Sequence, residues 1–124
     1  MKHIKISITL TIILLVILLG CNKSSNYGTN VIVPPAQPHT FSAGGMSFSP
    51  NLDTAHVGDT IHFVWSNGSH TTTSVSVPTG AATWSTPLNS SSPSFNYVVT
   101  VAGTYNFHCN IHYTFGMTGT IIVN

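Results

Sequence analysis

Residues 105–117 read YNFHCNIHYTFGM. Tyr105 and Phe107 alternate with Asn106 and His108, the period of two that marks a half-buried strand. The alternation stops at Cys109, and His112 and Met117 follow within nine residues. Thr120 to Val123 is a further β-rich run that closes the chain. A strand end, a short loop and the entry to a last strand thus present a thiol, an imidazole and a thioether toward one point.

The pattern on either side of this segment is also that of short strands. Ile61, Phe63 and Trp65 alternate with His62, Val64 and Ser66, and Asn67-Gly68 ends the run. Thr71 to Val77 is β-branched or Ser throughout, and Pro78-Thr79-Gly80 breaks it. Phe95, Tyr97, Val99 and Val101 alternate before Ala102-Gly103, and Met46 and Phe48 precede a turn at Pro50-Asn51. No stretch has sustained helical periodicity. The expectation is an all-β sandwich over residues 39–124, with Phe48, Ile61, Phe63, Trp65, Tyr97 and Phe107 in its core.

A thiolate, an imidazole and a thioether form a soft donor set. With a second imidazole, two His and one Cys lie in a trigonal plane below a weak axial Met, the arrangement of mononuclear copper that shuttles between two oxidation states. The best-placed second imidazole is His70, which follows the turn after the Ile61 to Trp65 run. Jointly placed, Cys109, His112 and Met117 outweigh the ordinary readings of each alone, a buried apolar Cys and a core Met.

On these residues the chain resembles the cupredoxins, the plastocyanin and pseudoazurin type in particular, over about residues 39–124. Phe48-Ser49-Pro50, Val57-Gly58-Asp59 and Asn67 with His70 match the first half of that pattern. Gly103, Tyr105, Phe107, Cys109, His112, Met117, Gly119 and Ile121 match the second. The resemblance implies a Greek-key sandwich of about eight strands and one type 1 copper ion bound by His70, Cys109, His112 and Met117. It further implies that the backbone N–H of Thr71 donates to the Cys109 sulfur and that Asn67 and Thr71 support the ligands from outside. Members of the family commonly carry Asn where this chain has Thr71, and that Asn ties the two ligand loops together. A Thr hydroxyl reaches less far.

Related copper centres are excluded by spacing. A dinuclear centre needs a second Cys in the ligand loop, and residues 110–116 contain none. Multicopper oxidases carry a second His directly after the Cys and paired His-x-His motifs; here Asn110 follows and no His-x-His occurs. His62 and His108 are expected to face solvent, and Trp65 and Trp84 to be packing residues.

The amino terminus has a different character. Lys2 and Lys5 lead into an uncharged run from Ile6 to Gly20, fifteen residues, short of the roughly 20 of a membrane-spanning helix. It reads as a secretion signal, and Leu18-Leu19-Gly20-Cys21 resembles the lipobox of bacterial lipoproteins. The expected organisation is a signal peptide at 1–20, a lipidated Cys21 with a Ser/Asn/Pro-rich tether to residue 38, and the copper domain at 39–124. The protein would then be extracytoplasmic and anchored to a bacterial membrane by lipid.

After residue 20 the only charged side chains are Lys23, Asp53 and Asp59. That leaves no basic face for nucleic acid and little from which to build a general acid or base, so an enzyme is not expected. The expectation is a monomeric one-electron carrier that meets redox protein partners through the apolar surface of Ile111, Tyr113 and Phe115 around His112. The rival reading is a copper-handling lipoprotein that stores or delivers the metal.

Overall fold

The computed structural model describes residues 38–124, so the expected secretion signal at 1–20, lipidated Cys21 and all but the last residue of the tether expected to residue 38 lie outside the described residues. Nine strands run in chain order: β1 (His39–Gly44), β2 (Ser47–Ser49), β3 (Leu52–Ala55), β4 (Thr60–Trp65), β5 (His70–Ser76), β6 (Ser85–Leu88), β7 (Ser94–Val98), β8 (Gly103–His108) and β9 (Thr118–Val123). They form two sheets, ordered β2-β1-β4-β7 and β3-β9-β8-β5-β6. The chain crosses between the sheets after β2, β3, β4, β6 and β7, giving a Greek-key sandwich. Strands β1 with β4 and β3 with β9 pair in parallel; the other neighbours are antiparallel. The ninth strand relative to the expected eight or so is accounted for by the three-residue β2, folded back on β1 through the Gly45-Met46 turn. Met46 is therefore in the turn and 55% exposed, not in a strand.

The core is aromatic, and Phe107 is its centre. Its ring meets Phe41, Phe48 and Phe63 of the opposite sheet edge to face, at centroid separations of 5.0, 4.9 and 5.0 Å. Such pairs contribute about 0.5–1.5 kcal/mol each beyond the area they bury. Across the β8–β9 pair Phe107 is opposite Gly119, and a Cβ at 119 would fall 2.2 Å from the Phe107 ring. The Gly between Met117 and Ile121 is thus the floor on which Phe107 lies. Ile61, Phe63, Tyr97 and Phe48 are buried as expected, whereas Trp65 is only half-buried against the core and donates its indole N–H to the Gly68 carbonyl at 2.8 Å.

Buried polar groups are paired. Tyr105 O–H donates to the Val101 carbonyl (2.7 Å), closing a tyrosine corner, and Trp84 N–H donates to the buried Thr72 hydroxyl (3.0 Å). Among the described residues no buried side-chain nitrogen or oxygen lacks a partner. This satisfied interior gives the ligand loop a rigid base between β8 and β9.

Candidate metal centre

Strand β8 ends at His108, and the next residue, Cys109, begins a loop whose own backbone closes it. Cys109 N–H donates to the Met117 carbonyl (3.0 Å), and His112 N–H to the Cys109 carbonyl (3.2 Å). A single 3-10 turn follows at Tyr113–Phe115, ended by Gly116 in the left-handed conformation at φ 85°, and Met117 N–H returns to the His112 carbonyl at 3.3 Å. Only a residue without a Cβ adopts that φ at little cost. The spacing legible in the sequence is therefore one closed loop with Cys109 and Met117 at its neck, both fully buried.

His70 is supplied by the other ligand loop. It is the first residue of β5, 1% exposed, and its Nε2 lies 2.8 Å from the Asn67 carbonyl. A carbonyl only accepts, so Nε2 carries the proton and Nδ1 keeps its lone pair. That Nδ1 lies 4.0 Å from Cys109 Sγ and 3.2 Å from His112 Nδ1, and Sγ lies 3.6 Å from His112 Nδ1. A triangle with these sides has its centre about 2.1 Å from every corner, inside the roughly 2.0–2.3 Å of metal–imidazole and metal–thiolate bonds. His70, Cys109 and His112 are thus placed to hold one metal ion, and they are the one such group among the described residues. The soft thiolate with two imidazoles fits copper.

Asn67 and Thr71 fix these donors from behind. Asn67 Oδ1 accepts the Gly45 N–H (3.0 Å), pinning the His70 loop to the β1–β2 turn. The Thr71 N–H donates to Cys109 Sγ at 3.4 Å. Its side chain also spans the gap that the sequence left in doubt, since Thr71 Oγ1 accepts the Asn110 N–H at 2.8 Å. The short hydroxyl reaches because it meets the backbone of the other loop directly. Cys109 is a free thiol.

On the outside, Ile111, Tyr113 and Phe115 are 51%, 54% and 67% exposed around the half-buried His112. His108 is half-buried, its ring stacked on Tyr113 (5.3 Å, 27°), and His62 meets Asn96 across β4 and β7. Nothing in the residue order signals the cluster at the other end of β1. There His39 sits between two carboxylates, Nδ1 2.8 Å from Asp53 and Nε2 3.2 Å from Asp59. The Asp59 carboxyl is held below the ordinary aspartate range, chiefly by the His56 backbone N–H at 2.7 Å; burial opposes the shift, and His39 and His56 add to it.

Comparison with known proteins agrees with this geometry. The family model for copper-binding proteins of the plastocyanin/azurin family matches residues 37–124. A pseudoazurin from Paracoccus pantotrophus is 31% identical over 83 residues, 65% of this chain and 55% of that protein, so the match spans little more than half the length of the curated relative. Oxidised plastocyanin from Dryopteris crassirhizoma superposes with a TM-score of 0.59 at 24% identity, over 68% of this chain and 99% of that one. A reduced amicyanin variant superposes at 0.60 and 22% identity, over 75% and 88%. These two structures share the fold.

Proposed function

Because this chain belongs to the plastocyanin/azurin family of copper-binding proteins, we propose that it carries single electrons through one copper ion held by His70, Cys109, His112 and Met117. The observation that carries the reading is the donor triangle of His70, Cys109 and His112, with its thiol buried. Bound copper supplies the Cu(I)/Cu(II) couple. The chain supplies a cage that need not rearrange when the charge at its centre changes by one: Asn67 fixes the His70 ring, Thr71 supports the sulfur, and the loop backbone fixes His112 and Met117. The buried Met117, its backbone bonded to both Cys109 and His112, would be the fourth donor, a weakly binding thioether that would tune the metal more than hold it.

His112 is the half-exposed donor, so electrons enter and leave beside it, through a docking face of Ile111, Tyr113 and Phe115. The sequence outside the described residues completes the proposal. Residues 1–20 direct export and Cys21 takes a lipid, which keeps the 39–124 domain at an extracytoplasmic membrane surface as a monomer near its redox partners.

Stopped-flow mixing of the copper-loaded chain with small one-electron oxidants and reductants tests the proposal. Reversible cycling with the metal retained against a chelator is expected. Rapid loss of copper to the chelator, without reversible cycling, would instead mark a protein that stores or delivers the metal.

A further inference from the structure

We propose that Thr73, whose hydroxyl bonds to Thr71 and Ser85 and to none of the donor residues, is a positioning residue for the metal centre and acts through Thr71; this rests on the copper reading above. Thr71 grips the start of the ligand loop twice, its N–H on Cys109 Sγ and its Oγ1 on the Asn110 N–H. Asn110 is where the chain leaves the β8 direction, so that second bond sets the angle at which Cys109 is presented.

A Thr hydroxyl does not hold such a bond by itself. The side chain has a single rotatable bond before the oxygen, and in a strand more than one rotamer is open to it. Turning χ1 would carry Oγ1 away from Asn110. Thr73, two residues on and therefore on the same face of β5, donates its O–H to Thr71 Oγ1 at 3.3 Å. That donation uses the only hydrogen the Thr73 hydroxyl has. The contact of 3.0 Å between Thr73 and Ser85, its register partner on β6, must therefore be a donation from Ser85.

The hydroxyls thus run in one direction, Ser85 to Thr73 to Thr71, and Thr71 Oγ1 accepts both this chain and the Asn110 N–H. Hydrogen bonds aligned in this way polarise one another. Ser85 is exposed, so water can take its place. Thr73 is half-buried, and its donation into Thr71 is the link that solvent replaces least.

The test compares Thr73→Val, which keeps the shape and removes the hydroxyl, with Thr73→Ser, which restores the hydroxyl, and with Ser85→Ala. One readout needs no metal: amide hydrogen exchange at Asn110. Thr73→Val should speed it about fivefold, the loss of roughly one hydrogen bond, while Thr73→Ser and Ser85→Ala stay within about twofold of wild type. The second readout is the copper-loaded chain's equilibrium with a one-electron mediator, which Thr73→Val should move by about twofold or more and Thr73→Ser should restore. Unchanged exchange and equilibrium in Thr73→Val would overturn the proposal. So would the same change in Ser85→Ala, because the cause would then be a weaker β5–β6 pair. A wild-type chain that takes up no copper would defeat the copper reading, yet leave the exchange comparison decisive for the coupling of Thr73 to the loop.

Discussion

His70 is oriented by a carbonyl three residues before it: Asn67 O lies 2.8 Å from Nε2, which leaves Nδ1 to face Cys109 and His112. The contact depends on Gly68 between them, at φ +77°, where an added Cβ would stand 3.0 Å from that same Nε2. Gly68→Ala should therefore weaken copper binding as well as the fold. Gly80→Ala is the control, because Gly80 has φ +93° and nothing within 4 Å of its would-be Cβ. Both variants bear the left-handed strain of about 1–2 kcal/mol, so both should melt lower. Only Gly68→Ala should lower copper affinity, by about tenfold for a further 1.4 kcal/mol or so of displaced imidazole. Equal affinities in the two variants would contradict this account of His70.

Asp59 gives the domain a pH dependence of known sign. Its folded-state pKa lies below the ordinary aspartate range, first because of the His56 N–H. A depressed carboxylate adds stability above its unfolded pKa, and that stability is lost as pH falls through the folded value. Melting temperature should fall as pH drops below about 4. Asp59→Asn should shallow the slope, and an identical slope in both chains would remove Asp59 as its source.

Met117→Gln tests whether Met117 is the fourth donor. A harder oxygen donor favours Cu(II), so the variant should keep its copper and show a lower reduction potential. An unchanged or raised potential, measured by redox titration, would take Met117 out of the donor set.

Charge should matter little to docking. Apart from histidines, Asp53 and Asp59 are the only charged side chains among residues 38–124, and both contact His39 at the start of β1. The other end of β1 leads to the Gly45–Asn67 bond beside the donors. Transfer to a protein partner should change less than about threefold between about 10 and 200 mM salt. Tyr113→Asp should slow transfer without altering the copper spectrum. A steep salt dependence, with that variant unaffected, would place docking on another face.

The parts legible in the sequence were those fixed by local order. Cys109, His112 and Met117 belong to one loop, so their spacing alone revealed it, and the alternation of Ile61, Phe63 and Trp65 or of Tyr105 and Phe107 marked β4 and β8 directly. Strand β6 was hidden because Pro87 interrupts it, tolerable only because β6 is a sheet edge. Strand β2 was legible from Phe48 and the Pro50 turn, but in three residues no period could show that Met46 belongs to the turn before it. Contacts between distant segments were legible only where the family resemblance implied them, as for the Thr71 N–H on Cys109; the Thr71 hydroxyl bond to Asn110, 39 residues on, and the His39 bridge between Asp53 of β3 and Asp59 were not. Residue types told of the metal, whereas the bonds that the Asn67 side chain makes to Gly45 and the Thr71 hydroxyl makes to Asn110 had to be read from the fold.

On the proposed function, Cys109 Sγ binds copper together with the Nδ1 atoms of His70 and His112. The most direct test is the visible absorption spectrum of the Cu(II)-loaded chain beside that of Cys109→Ser, with circular dichroism to verify the β-fold of the variant. The wild-type chain should show an intense thiolate-to-copper band in the orange-red, and the folded variant should lack it. A loaded wild-type chain without that band, or a variant that keeps it, would contradict the account.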